Sequence, residues 1–279
     1  MLREEILKEE DAKIIATLIE AAEKGLTPIE REIYSIVRWI NDYVSEHHLA
    51  SLVVGVSGGI DSAVVERLCE KTGLPVYTVN LPMYFTTGSP CPSSQRAYEL
   101  CKDRPENVHY FVKTIAGIVG AYKDEGIGST QLTEGNLRAR IRANILYDFA
   151  AKNSGIVVGT GNKDEDTIGY MTKGGDSLVD ICPLSAIHKS SVYAMGKILE
   201  VPQSILDAAP TAELWDGQTD EGELGLTYDQ VEWAIKILEG NDYICFDAKN
   251  REILDKVHKM IKKNAHKLSY PPIYQPKYI

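Results

Sequence analysis

The chain has 279 residues, 44% of them hydrophobic and 25% charged; this is ordinary globular composition, enough for one large domain or two small ones. Thirty Lys and Arg against 40 Asp and Glu give a formal charge of −10, which argues against nucleic acid as a partner, and no apolar run reaches the ~18 residues that cross a membrane. Five cysteines, an odd count with no CxxC pair, argue against a zinc ribbon, an iron–sulfur site or a disulfide framework, and an N-terminus as acidic as "MLREEILKEEDAKII" is unlike a targeting peptide, so a cytoplasmic protein with reduced thiols is expected.

The first predicted element is a helix from Leu2 to about Lys24. A second opens at "TPIE", where Thr27 caps, Pro28 takes the first helical position and Glu30 closes a capping box. Ile29, Ile33, Ile36, Val37, Ile40 and Val44 then share one face, suited either to a core or to a second subunit. From here β-branched runs alternate with helical stretches. Strands are expected at Leu52–Val56, Val76–Leu81, Val108–Lys113 and Ile156–Val158, and helices at Ser62–Lys71, Ser93–Lys102 and through "GNLRARIRANILYDFAAKNSG". That alternation predicts an α/β fold, a parallel sheet with helices on both faces. Further helices are expected at Ser190–Leu199, Thr227–Leu238 and Asp247–Lys263, and long loops at Pro82–Pro92 and Trp215–Leu224.

The first strand ends in "LVVGVSGGIDS". Ligands of open parallel sheets bind beyond the carboxyl ends of the strands, where this turn lies. Glycines let the backbone approach a ligand closely, and the next helix presents unpaired N–H groups and the positive end of its dipole. The combination favours a phosphate, with Ser57 and Ser62 adding hydroxyls. Asp61 would repel a phosphate unless Mg²⁺ sits between them, and Mg²⁺ favours one or two carboxylates plus phosphate oxygens. No Walker loop is present, since GxxxxGK[ST] is absent.

This string resembles the PP-loop of the N-type ATP pyrophosphatases, which cleave ATP to AMP and pyrophosphate. A longer series narrows the resemblance: "GNLRARIRAN" with Arg138, Arg140 and Arg142, then "VVGTGNKDEDTIGYMTKGGD", "VDICPLSAIHKSSVYAMGKIL", "DAAPTAEL", and a terminal "HK" followed by "PP". In order and spacing it looks like the ammonia-dependent NAD synthetases, over most of the chain. The resemblance implies a Rossmann-like doubly wound sheet of the adenine nucleotide alpha-hydrolase-like type. Within it, N-terminal helices (1–48) lie at a homodimer interface, the ATP-pyrophosphatase core spans about 50–212, and 213–279 form a helical tail. It further implies ATP binding by Gly55, Val56, Ser57, Gly58, Gly59, Ile60, Asp61, Ser62, Thr160, Lys189 and Thr211, with Asp61 and Lys189 catalytic. Mg²⁺ would be held by Asp61 and Glu165, and deamido-NAD by Arg140, Lys173, Asp180, His266 and Lys267. Free ammonia is the implied nitrogen donor, because the length leaves no room for an amidase domain after the ATP domain. Two segments depart from the family. Where it usually has "FTKYGDGG" the chain reads "YMTKGGDSLVD", so Gly174 stands for tyrosine and Ser177 and Leu178 for a glycine pair; the loop "PMYFTTGSPCPSSQ" is also unusual. Two rival readings are another PP-loop ligase, such as a tRNA-modifying one, and a nucleotide-binding module without chemistry.

Overall fold

The computed structural model describes residues 25–83, 91–211, 219–240 and 247–276; the expected first helix lies outside them, as does most of the expected 82–92 loop. Four strands form one parallel sheet: β1 (Ser51–Gly55), β2 (Val76–Asn80), β3 (Val108–Val112) and β4 (Gly155–Val158), in the order β3-β2-β1-β4. The register pairs Val54 of β1 with Thr78 of β2 and with Val158 of β4. Chain order reverses between β1 and β4, which opens a crevice at their carboxyl ends. A single parallel bridge from Val158 to Ile181 extends the sheet beyond β4.

Both faces are covered, and the alternation of β1 shows how. Leu52, Val54 and Val56 point into one apolar cluster with helices α1 (Pro28–Glu46), α2 (Ile60–Glu70) and α3 (Pro92–Cys101), whereas Val53 points into the other. That second cluster contains Val119 of α4 (Ala116–Asp124) and Leu137 and Ile141 of α5 (Gln131–Lys152). Burial on both sides accounts for the apolar runs of β1, β2 and β4, whereas β3, at the sheet edge, is half-buried to exposed. Near the crevice follow α6 (Lys163–Ile168), α7 (Lys189–Ile198), α8 (Gln203–Leu206) and α9 (Asp220–Leu224). The last two helices, α10 (Tyr228–Gly240) and α11 (Ala248–Leu268), close a third apolar cluster around Ile168, Val231, Ile235 and Val257.

Several expectations are corrected here. The helix α4 was not foreseen, because Gly117 and Gly120 lower its intrinsic helicity and its hold comes from burying Val119 against the sheet. Part of the expected 215–224 loop is helix α9, capped by Thr219, whose side chain accepts from Gly222 N–H. The stripe on α1, suited by sequence either to a core or to a second subunit, packs on the core: Ile33, Ile36, Ile40 and Val44 are buried within the chain. The capping box expected at Thr27 and Glu30 holds, and Thr227 and Gln230 exchange the same pair of bonds before α10.

Candidate active site

The turn between β1 and α2 is a cradle built from its own hydroxyls. Ser62 Oγ lies 3.1 Å from Ser57 Oγ, accepts from Ser57 N–H at 3.2 Å and donates to Gly59 carbonyl at 3.0 Å. Gly58 takes φ +86°, and a Cβ there would fall 2.1 Å from the Ser93 carbonyl oxygen, so glycine is required twice over. The N-cap of α2 is Gly59, with no side-chain cap, which leaves the helix end facing the crevice.

Asp61, in the first turn of α2, is the hub of what surrounds the cradle. Its Oδ2 accepts from Lys189 Nζ at 2.6 Å and its Oδ1 from Asn162 Nδ2 at 3.0 Å. Asn162 is fully buried; its Oδ1 caps α6 by accepting from Asp164 and Glu165 N–H. Glu165 Oε1 stands 3.3 Å from the same Lys189 ammonium and 2.8 Å from Tyr228 Oη, which also lies 2.9 Å from Asp220 Oδ2. The ammonium sits 4.5 Å above the Tyr228 ring. Three carboxylates thus gather around one ammonium, within reach of a phosphate-shaped turn.

The electrostatics follow from that crowding. Burial alone would pull Lys189 down, but Asp61 and Glu165 outweigh it and hold the ammonium above its ordinary value. Burial pushes Glu165 up to about 7, Lys189 opposing and Asp61 reinforcing. Tyr228 is raised by burial and by its two carboxylate neighbours, so its hydroxyl stays protonated.

The residues expected to bind a second substrate form a neighbouring chain of contacts. Arg140 on α5 donates through Nε and Nη2 to the Lys173 carbonyl at 3.3 and 3.2 Å; Lys173 Nζ donates to the His266 carbonyl at 2.8 Å; Lys267 Nζ donates to the carbonyls of Gly169 and Met171 at 2.8 and 2.9 Å. One cation at the end of α11, Lys267, and one on the loop, Lys173, therefore tie the 169–173 loop to that helix. Gly174, the position where the family usually carries tyrosine, has φ +72° and open space where a Cβ would project. Asp180 is placed apart, its Oδ2 accepting from Val157 N–H at 2.7 Å and its Oδ1 from Tyr147 Oη at 3.2 Å. Thr160 follows β4 at the crevice, half-buried, and Thr211 is half-buried after α8. Of the three arginines on α5, Arg138 pairs with Glu134 and Arg142 donates to the Leu81 carbonyl.

Sequence reasoning missed Asn162, Asp164, His188, Asp220 and Tyr228. Asn162 and Asp164 lay within the quoted stretch beside Glu165, and His188 within the one beside Lys189; Asp220 and Tyr228 join the site from more than 150 residues beyond Asp61 and left no local signal.

The family described as NAD synthase matches residues 32–271. An NH(3)-dependent NAD(+) synthetase of Campylobacter jejuni is 32% identical over 238 residues, covering 85% of this chain and 95% of that protein. One from Methanosarcina mazei is 34% identical over 245 residues, with the same coverage. Among solved structures, an NMN synthetase from Francisella tularensis superposes with TM-score 0.78 and 33% identity, covering 91% of this chain and all of that one. The Campylobacter jejuni NH3-dependent NAD synthetase superposes with TM-score 0.75 and 27% identity, over 89% of this chain and all of that one.

Proposed function

The chain belongs to the NAD synthase family, and from that premise we propose that it amidates deamido-NAD with ammonia, giving NAD, AMP and pyrophosphate from ATP. The observation that carries this is the Asp61–Lys189–Glu165 constellation where β1 gives way to α2. One ammonium beside an open helix N-terminus supports a triphosphate there.

The nicotinate carboxylate is already a nucleophile at neutral pH, so attack on the α-phosphate needs no Ser–His or Cys–His pair. The residues of this chain bind, orient and neutralise. The amides and hydroxyls from Gly55 to Ser62 hold the departing pyrophosphate. Lys189 offsets the charge that grows on it, and Thr160 and Thr211 complete the nucleotide contacts. Ammonia then attacks the adenylated carboxylate, expelling AMP. We assign Mg²⁺ to Asp61 and Glu165: their hard carboxylate oxygens suit it, and three carboxylates about one ammonium leave negative charge for it to offset. When bound, the ion would neutralise phosphate oxygens. Arg140, Lys173, Asp180, His266 and Lys267 are assigned to deamido-NAD, either directly or by shaping the 169–173 loop. We further propose a homodimer; Tyr34 and Trp39, exposed on the outer side of α1, support a contact there, and light scattering of the purified protein tests it.

A second reading keeps the chemistry and shortens the substrate. The 33% identity to an NMN synthetase structure supports nicotinate mononucleotide as the acceptor. Purified protein with ATP, Mg²⁺ and ammonium should convert one acceptor faster, releasing AMP and pyrophosphate. Faster turnover of deamido-NAD supports the first reading, and faster turnover of the mononucleotide supports the second. Release of ADP, or no turnover of either, would sink both.

A further inference from the structure

The start of α7 is held by a set of side chains that the reaction outlined above does not use. Asp164 is a carboxylate with no exposed surface, and such a group persists only when paired. Its Oδ2 accepts from the backbone N–H of Lys189 at 2.8 Å, and its Oδ1 lies 2.6 Å from His188 Nδ1. The N-cap of α7 is His188, whose own side chain makes no capping bond. Asp164 therefore supplies the missing cap from another helix, and its charge faces the positive end of α7. Next along, Ser190 Oγ donates to Glu232 Oε1 at 3.0 Å, and Lys236 Nζ donates to the same oxygen at 2.6 Å. A Glu232 oxygen lies within 4.8 Å of the ligating atoms of both Asp164 and His188. That trio has metal-binding residue types, but both Asp164 oxygens and Glu232 Oε1 are already taken by protein donors. The arrangement is a clamp on residues 188–190.

We propose that Asp164, braced by His188, is a positioning residue that fixes the Lys189 backbone and thereby aims the Lys189 ammonium. The short segment 162–165 serves both ends of this alignment. Asn162 holds Asp61, Glu165 receives the ammonium, and Asp164 between them anchors the residue that carries it. A shift of the α7 end would carry the ammonium with it. Misplacement of such a group by about 1 Å costs up to about 100-fold in rate.

The inference rests on reading Lys189 as the charge-neutralising group, and a double-mutant cycle separates the two. Asp164→Ala is expected to lower kcat about 10- to 100-fold, with KM for ATP little changed. In a Lys189→Ala background the same substitution should change kcat by less than about twofold, because the group it aims is gone. Asp164→Asn keeps an oxygen for the Lys189 N–H and should stay within about fivefold of the parent, the scale of one weakened hydrogen bond. Equal losses from Asp164→Ala in both backgrounds, an unchanged kcat, or a loss confined to KM would overturn the positioning role. Normal turnover by Lys189→Ala would instead defeat the functional reading beneath it. Should Asp164→Ala fail to fold, His188→Ala runs through the same cycle at a less buried position. A loss seen only with Lys189 present supports the role, and equal losses or none overturn it.

Discussion

Helix α2 carries two buried charge clusters, and they differ in balance. At its first turn Asp61 shares the Lys189 ammonium with Glu165, with Asp220 joined through Tyr228: three carboxylates, one cation. Toward its last turn Glu66, Arg67 and Glu70 meet Arg104: Glu66 to Arg67 at 2.5 Å, Arg67 to Glu70 at 3.4 Å, Arg104 to Glu70 at 3.1 Å. With both glutamates ionised that cluster is neutral, and Arg67 Nη2 also donates to the Leu100 carbonyl at 2.9 Å, tying α2 to α3. A buried cluster that cancels its own charge holds helices together. A cluster with excess negative charge beside an open helix N-terminus suits, under the proposed function, a cation and an anion that arrive together. The same residue types on one helix thus do different work, and the local sum of charge separates them.

This contrast can be broken from either side. The largest effect is expected at the unbalanced cluster: Asp61→Asn or Lys189→Ala should cut kcat by about 10²–10³, with the far-UV circular dichroism of the native protein retained. Near-normal turnover in either would erase the distinction. The mirror experiment is Arg67→Met. Measured at about pH 8, where Glu66 is ionised, it strands that carboxylate and should cost about 3–5 kcal/mol of stability, read from the urea midpoint, while the folded fraction keeps the parent kcat. A large loss of kcat without loss of stability would place the second cluster in the chemistry.

A smaller effect is in pH. Burial raises Glu66 to about 7 despite Arg67 beside it. Between its ordinary value near 4.5 and about 7, the folded protein keeps a proton that the unfolded chain releases. Stability from this group is therefore complete at the acid end of that window and falls as pH rises through it. Glu66→Gln should flatten the slope, and the difference between the two urea-midpoint profiles isolates Glu66 from Glu165, which burial shifts the same way. Parallel profiles would show that Glu66 ionises normally.

Much of this architecture was written locally. The runs at 52–56, 76–81, 108–113 and 156–158 read as strands from their β-branched and apolar residues, and β1 to β4 form within a residue or two of them. Ser57, the glycines and Asp61 read as a phosphate turn because glycine conformation and helix polarity are properties of a few adjacent residues. Distant pairings were not legible. Helix α4 has weak propensity and gains from the sheet it covers. Glycine at 174, read as a departure, sits at a positive φ that favours that residue. Tyr228 looked like an ordinary member of an amphipathic helix, and its hydroxyl reaches Glu165 because α10 packs beside α6.

By itself the sequence determined the strand–helix alternation, the turn at Ser57–Ser62 and the family to which the chain belongs, since these rest on neighbouring residues and on ordered motifs. The tertiary structure alone decided which carboxylates surround Lys189, that Asp164 caps its helix from outside, and that Lys267 of α11 grips the 169–173 loop. The physical reason is that charge balance and hydrogen-bond partnership depend on distance in space. Sheet order and helix packing set those distances between residues that lie far apart along the chain.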